Sequence, residues 1–473
     1  MLKNIRVNPI RLTDAYNLSH PRLKVNTDWE ISHMYNRSGK YGGMVLYGFS
    51  EIVESIMSIV ITEDMVKEAE NDAKKMNLVF PTDLWMKVVN EQNGKLPLAV
   101  QAVPEGEWVP NGTPFAQINN TEEGYGELVT WFEGVLMMAY FPSACATEAY
   151  KMRKYLEETK ERFGYDGSFM LRFHSFGFRG HRSLEDAYWA GTAWNLFLHG
   201  TDDFHTMHHT PNAPITSISA LAHKVTQQFD DEYECFKHAI RETAKVGEKI
   251  VALVIDTYDA DRVINEYALP LANYAASLDV NLVLRPDSGD TWDQTVRIYK
   301  IARKNQLKNV SVIIGEGMSL EEAKNCDSYL LANGVPLNFV SYGIGAGFYK
   351  HIDRDTHGWA MKTAYSNGAD RMKFSMTPLK RSIPGKVEVI RPNNGYMTVI
   401  AQEEYVDEST SEYMYDIVYL KNADMEDAFI QVADWDETFE RAKHIDDSQT
   451  RILLSEVIHD KVAAFEVKYK YKK

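Results

Sequence analysis

The stretch Val283-Leu284-Arg285-Pro286-Asp287-Ser288-Gly289-Asp290 constrains this chain more than any other. The largely apolar run from Asn281 to Leu284 reads as a buried parallel strand, and Thr291-Trp292-Asp293-Gln294-Thr295-Val296 opens an amphipathic helix. Proline and glycine fix the turn between them, and Arg285, Asp287 and Asp290 project from it. A strand, a short polar turn and a helix make a βα unit, and α/β enzymes place their chemistry at the strand's C-terminal end. Arginine there suits an anion, and aspartate suits sugar hydroxyls or hydrated Mg²⁺. Taken alone, the same carboxylates serve equally well as a helix cap.

The turn recurs along the chain. Val251 to Ile255 runs into Asp256-Thr257-Tyr258-Asp259, and Val312-Ile313-Ile314 runs into Gly315-Glu316-Gly317, with a helix start at Ser319. Asn338 to Tyr342 runs into Gly343-Ile344-Gly345-Ala346-Gly347, and Phe169 to Phe173 runs into His174-Ser175-Phe176-Gly177-Phe178-Arg179-Gly180. Successive β-then-loop units predict a parallel (β/α) barrel whose loops converge on one rim, with a doubly wound open sheet as the alternative.

Around this series the pattern changes. Helical periodicity at Phe49–Val60, Glu63–Met76 and Thr82–Asn90, with strands at Leu98–Val103 and Thr113–Ile118, predicts a mixed α+β part. Gly126 to Phe163 reads as helical with a break near Pro142. Beyond the series, Pro392-Asn393-Asn394-Gly395 between two β-branched runs signals a hairpin, and Tyr413–Leu420 and Ala463–Tyr471 read as strands. The expected organisation is an α/β protein with an irregular barrel at 166–365, inserted in a discontinuous α+β domain made of 1–165 and a β-rich 366–473.

A formal charge of −16 argues against nucleic acid or an anionic membrane as partner, so a phosphate ligand needs a local basic cluster. Cys145, Cys235 and Cys326 are widely spaced, which fits a reducing compartment and excludes a cysteine metal site. No signal-peptide pattern is evident, and the apolar stretch Val135–Phe141 is too short to cross a bilayer. A cytoplasmic enzyme is the expectation. The glycine run at 343–347 can cradle a phosphate or simply make a tight turn. The run His199–His209 lacks HExxH order and reads as a polar loop rather than a zinc site. His223 opens as either a core or a helix-start residue, and Arg354, Lys362, Lys373, Lys380 and Arg381 as a solvated face or an anion site.

Together, Thr13-Asp14-Ala15-Tyr16, Leu96-Pro97 through Gly106, Phe176 to Gly180, Gly200-Thr201-Asp202, Arg285 to Gly289 and Thr356 to Lys362 resemble the nicotinamide phosphoribosyltransferases, type II phosphoribosyltransferases with viral and bacterial members. The resemblance implies transfer of phosphoribosyl from phosphoribosyl pyrophosphate to nicotinamide, giving nicotinamide mononucleotide and pyrophosphate in NAD salvage. It implies a homodimer with shared sites, Mg²⁺, and ATP as an optional co-substrate. Carried over, Phe176 and the partner subunit's Tyr16 stack the nicotinamide ring, Asp202 accepts from its carboxamide, and Arg285 stands nearby. Asp287 holds ribose hydroxyls and Mg²⁺ with support from Asp256, while Arg179 and His223, the family's phosphorylated histidine, face pyrophosphate. Gly315, Glu316, Gly345 and Ala346 line the 5-phosphate pocket, and Arg37, Arg354, Lys362, Lys373 and Lys380 bring positive charge. Phe178 in place of Tyr, Glu316 in place of Asp and Ala360 in place of Ser depart from the family pattern. A nicotinate-specific relative and a barrel hydrolase with paired carboxylates are the rival readings.

Overall fold

The computed structural model describes residues 7–24, 27–315, 317–375, 377–393 and 395–469. The chain divides into two compact units, Met1–Thr147 with Ile352–Lys473, and Glu148–His351. The inserted unit thus starts and ends earlier than the expected 166–365. Tyr155, on the helix Tyr140–Phe163, donates to Asp327 at 2.6 Å, which ties the second half of that helix to the inserted unit. The strand Trp359–Ser366 pairs instead with Glu30–Asn36.

The inserted unit is a seven-stranded sheet in which every pairing is parallel. Its order is Gly200–Thr201, Phe173–Ser175, Val340–Ile344, Val310–Ile314, Asn281–Arg285, Ile250–Val254 and Ser219–Ala220. Thr216, three residues before the last strand, bridges Gly200 on the first, and the Thr201 N–H donates to its carbonyl at 3.0 Å. The sheet therefore curls back on itself, as an irregular barrel does and an open doubly wound sheet does not. Ala252, Val283 and Ile313 meet inside it, with Phe176 and Ile218 packed against them. Residues two apart on a strand share a face, so the alternation that buries these side chains also sends Leu282 and Leu284 outward, where both are buried.

Helices follow the strands with side-chain caps that the sequence supplies. Asp231, Asp290 and Ser319 each accept from the third residue on. The capping role at the central turn belongs to Asp290, which accepts from the Asp293 N–H at 3.0 Å. Asp287 is left for other work. One expectation fails in part: of the expected strand Phe169–Phe173, residues 169–171 belong to the 3₁₀ helix Gly167–Leu171, because Asp166 caps the Ser168 N–H at 2.9 Å, and the strand starts only at Phe173.

In the first unit the central sheet interleaves early and late strands. Its order is Ala369–Asp370, Trp359–Ser366, Glu30–Asn36, Pro114–Asn120, Leu98–Ala102, Asp416–Leu420 and Phe429–Ile430. The expected hairpin forms between Val387–Pro392 and Thr398–Ala401, turning through Gly395 at φ +85°. Of the expected strand at 463–471, residues 470 and 471 lie outside the described residues, and the rest is not a strand; Glu456–Tyr469 is a helix that anchors Ile458 and leaves Val467 78% exposed. Alternating apolar residues there had no buried face to serve. The helical stretch Gly126–Phe163 is long and apolar enough to cross a bilayer, contrary to the expectation drawn from Val135–Phe141, but 72% of its apolar window is buried within the protein.

Candidate active site

Two strand ends of the barrel place the chemistry. Ile250–Val254 ends before Asp256, and Asn281–Arg285 ends before Asp287, with the strands held in register by the Ile255 N–H donating to the Arg285 carbonyl at 3.1 Å. Gly289 at φ +77° lets the second turn close so that Ser288 reaches back and donates to Asp256 Oδ2 at 2.5 Å. Asp256 Oδ1 is buried and has no hydrogen-bond partner among the described residues. His223, at the start of a one-turn helix, has Nδ1 3.1 Å from Thr257 Oγ1. Its Nε2 lies 3.6 Å from Asp287 Oδ2 and 3.9 Å from Asp256 Oδ1. Arg285 Nη2 approaches Asp287 Oδ2 at 3.6 Å, and its Nε is buried without a partner among the described residues.

This donor set fits a hydrated Mg²⁺, which takes one or two carboxylates and fills its remaining positions with water and phosphate oxygens. The orphaned Asp256 Oδ1 beside Asp287 is the observation that favours it. Among the described residues no group of three His, Cys, Asp or Glu converges as an all-protein metal cage would, and the run His199–His209 makes none.

Phe176 forms the floor beside these carboxylates. Its N–H donates to the Ile344 carbonyl at 2.9 Å, and Arg285 Cζ lies 6.0 Å from the ring centroid. A Cβ on Gly343 would stand 2.1 Å from the ring, and one on Gly315 would stand 2.8 Å from Asp287 Oδ1. Glycine at 343 is thus a packing requirement of the ring. Gly343→Ala is expected to displace Phe176 and destabilise the barrel by about 1–3 kcal/mol, the usual range for overpacking. Denaturant unfolding checks it, and an unchanged midpoint would show that the ring is free to move aside.

The loop carrying Phe176 is fixed by a residue that sequence reasoning missed. Asp203 is buried and accepts from Ser175 Oγ and from the Phe178 N–H at 3.0 Å. Burial pushes its carboxyl up, and those two hydrogen bonds oppose the shift. Its neighbour Asp202 is exposed, accepts from Ser217 Oγ, and lines a cleft of about 520 Å³ with Phe204, Met207 and Ile218. The Asp202 N–H donates to the Ser175 carbonyl at 3.0 Å, which keeps this carboxylate next to the Phe176 loop.

Gly315 and Gly345 follow the adjacent parallel strands Val310–Ile314 and Val340–Ile344, and Ala346 begins the 3₁₀ helix Ala346–Phe348. Gly347 packs so closely on the Met318 carbonyl that a Cβ would stand 2.1 Å away. Glu316 lies outside the described residues. Arg179 is exposed on the short 3₁₀ helix Phe178–Gly180, without an ion pair among the described residues.

The remaining predicted residues belong to the first unit. Arg37 is half-buried, with Nε donating to the Gly358 carbonyl at 3.1 Å; burial and then Arg354 depress its pKa. Lys362 is depressed by burial, opposed by Glu133 and reinforced by Lys373, Arg37 and Arg354. These four cations therefore form one group, and Arg354 is itself paired with Asp355 at 3.1 Å. Tyr16 is 57% exposed, with its hydroxyl shifted up by burial, then by Glu133 and Asp14. Glu133, a common neighbour of Tyr16 and Lys362, had no signal in the sequence beyond its place at a helix start. Lys380 is exposed at the end of the 3₁₀ helix Pro378–Lys380.

Residues 171–373 match the profile of the nicotinate phosphoribosyltransferase family, and 8–100 match that of the nicotinamide phosphoribosyltransferase N-terminal domain. A nicotinamide phosphoribosyltransferase of Xanthomonas campestris is 27% identical over 384 residues, covering 76% of this chain and 81% of that protein. One from Acinetobacter baylyi is 24% identical, covering 83% and 90%. Among solved structures, human nicotinic acid phosphoribosyltransferase superposes with a TM-score of 0.63 at 17% identity, covering 96% of this chain and 99% of that one. Nicotinate-nucleotide pyrophosphorylase from Pyrococcus furiosus gives 0.60 at 14%, covering 92% and 94%. At these identities the two structures speak for the shared fold.

Proposed function

We infer the reaction from one premise: this chain belongs to the nicotinamide phosphoribosyltransferase family. It transfers the phosphoribosyl group of phosphoribosyl pyrophosphate to the ring nitrogen of nicotinamide, releasing pyrophosphate. The observation that carries the site assignment is the convergence of Asp287, Asp256, His223, Arg285 and Phe176 at adjoining strand ends of the barrel.

Displacement at the anomeric carbon develops oxocarbenium character as pyrophosphate departs. Asp287 holds the ribose hydroxyls and stabilises that cation, and Arg179 and His223 meet the leaving charge. The backbone at Gly315 and Gly345 receives the 5-phosphate. Phe176 aligns the nicotinamide ring, whose nitrogen carries a free lone pair and needs no general base. Asp256 and Asp287 would hold Mg²⁺, which when bound neutralises pyrophosphate oxygens.

Tyr16, Arg37, Arg354, Lys362, Lys373 and Lys380 are proposed to reach the site from the partner subunit of a homodimer. Exposed Phe178, Leu184, Phe204 and Met207 on the barrel unit support this, since so much apolar surface calls for cover. ATP is proposed to act through phosphorylation of His223, whose side chain is 40% exposed. His223→Ala would then erase any ATP stimulation, read as the ratio of rates with and without ATP.

The second reading, a preference for nicotinate, has the family profile over 171–373 in its favour. Asp202 weighs against it. Its carboxylate can accept from a carboxamide NH₂, whereas a nicotinate carboxylate would oppose it charge to charge. Nicotinamide should be favoured by about 10⁴-fold in kcat/KM, the range reached when a site is built around one hydrogen bond. A coupled assay for the mononucleotide, offering each base to wild type and Asp202→Asn at one pH, tests both points. Equal use of the two bases by wild type would overturn the assignment, and an unchanged ratio in Asp202→Asn would remove Asp202 from selectivity.

A further inference from the structure

The two groups assigned to the nicotinamide base, Phe176 and Asp202, stand one residue beyond the last paired positions of adjacent parallel strands. Phe173–Ser175 and Gly200–Thr201 pair His174 with Gly200 and Ser175 with Thr201, and there the ladder ends. The Asp202 N–H still donates to the Ser175 carbonyl at 3.0 Å. Past that bond, the spacing between an aromatic face and a carboxylate depends on side chains.

Ser175 and Asp203 supply them, the residues immediately before Phe176 and immediately after Asp202. Both are buried, Asp203 at 2% exposure. Asp203 Oδ2 accepts from Ser175 Oγ, and its Oδ1 accepts from the Phe178 N–H at 3.0 Å, so one carboxylate grips the chain on both sides of Phe176. Asp203 is held in turn. Its N–H donates to Thr201 Oγ1 at 3.0 Å, and its carbonyl accepts from Thr206 Oγ1 at 2.8 Å. Thr206 Oγ1 accepts from Asn195 Nδ2 at 2.9 Å, which ties the loop to the buried end of the helix Leu184–Asn195. Burying a carboxylate is costly unless hydrogen bonds compensate, and here the bonds go to the chain flanking the one ring that must be held.

We propose that Asp203, acting through Ser175 Oγ and the Phe178 N–H, is a positioning residue for the transfer reaction. It sets the distance between the Phe176 ring and the Asp202 carboxylate, and so fixes how tightly nicotinamide is held. The inference rests on the nicotinamide reading given above. Stacking and a carboxamide hydrogen bond act on the base alike in the ground state and the transition state, so misalignment raises the KM for nicotinamide and largely spares kcat.

Initial rates with each substrate varied in turn, beside a thermal melt of every variant, test this. Asp203→Ala should raise the nicotinamide KM about tenfold, the effect of losing one charge-assisted hydrogen bond. Ser175→Ala, the milder change, should raise it less. In both, kcat and the KM for phosphoribosyl pyrophosphate should stay within about twofold of wild type. Asp203→Asn should restore the nicotinamide KM, because the amide oxygen accepts from the Phe178 N–H and the NH₂ donates to Ser175 Oγ. Adding Ser175→Ala to Asp203→Ala should change nothing further, since the two residues act as one tie. Folded variants with the wild-type nicotinamide KM would overturn the inference. So would equal rises in both KM values, the mark of a general loosening of the barrel. A wild type that does not use nicotinamide at all would overturn the reading beneath it, and this inference with it.

Discussion

Asp287→Ala should lose about 10²–10³-fold or more in kcat, the cost of removing one preorganised group that faces charge developing in the transition state. The fold should survive, because the Asp287 side chain is 28% exposed and the helix that follows is capped by Asp290. The loss should fall mainly on kcat rather than on the KM for nicotinamide, since Asp287 serves the sugar and Phe176 the base. Steady-state kinetics beside a thermal melt decides it. A folded variant with near-normal turnover would take Asp287 out of the mechanism. The same variant also probes subunit sharing, because mixing it with an inactive Tyr16→Ala protein should restore activity through hybrid dimers with one intact site. No recovery despite demonstrated subunit exchange would count against shared sites.

The second large effect lies away from the chemistry. Arg172, at the start of a barrel strand, is only 3% exposed. Its guanidinium donates to Asp327 through two parallel bonds of 3.0 and 2.6 Å, and its Nε donates to the Val340 carbonyl at 2.7 Å. Tyr155 and Tyr342 each donate to the same carboxylate at 2.6 Å. One carboxylate thus pins two strands and two helices. Asp327→Ala strands a buried cation, the buried hydroxyl of Tyr342 and the half-buried one of Tyr155, and should destabilise the protein by about 3–5 kcal/mol. Replacing Arg172 by Met in that background should recover part of the loss, because the buried charge goes with it. Chemical denaturation measures both. A single-variant loss below about 1 kcal/mol would mean water reaches the site and solvates the guanidinium.

The barrel was legible because its strands are apolar runs that stop abruptly at glycine, proline and aspartate. That signal survives even where a neighbouring element is misread, as at 167–171, where an Asp166 cap turned an apolar run into a 3₁₀ helix. The closing segment was not legible. Ser217-Ile218-Ser219-Ala220 carries only one large apolar side chain, Ile218, and its pairing depends on backbone alone. In Gly-Thr-Asp-Asp the sequence does not say which carboxylate turns inward; Asp203 does, and Asp202 is left at the surface. Ser217 and Glu133 acquire their neighbours only through tertiary contact. The late helix Glu456–Tyr469 was misread because a short alternation of Ala, Phe, Val and Tyr carries no record of which face will be buried.

The interleaved sheet sets a schedule for synthesis. Its three early strands, Glu30–Asn36, Pro114–Asn120 and Leu98–Ala102, are central, and the strands flanking them on either side come after residue 358. At roughly 5–20 residues per second, the ribosome needs about 12–50 seconds to make the intervening barrel before either flank is available. Throughout that interval a three-stranded sheet carrying Met34, Val100 and Ile118, all fully buried in the finished protein, presents two unpaired edges. Such edges invite pairing with other chains. A nascent chain stalled at the end of the barrel should therefore bind chaperones through its first 120 residues, and release from them should await the arrival of Trp359–Ser366 and Asp416–Leu420.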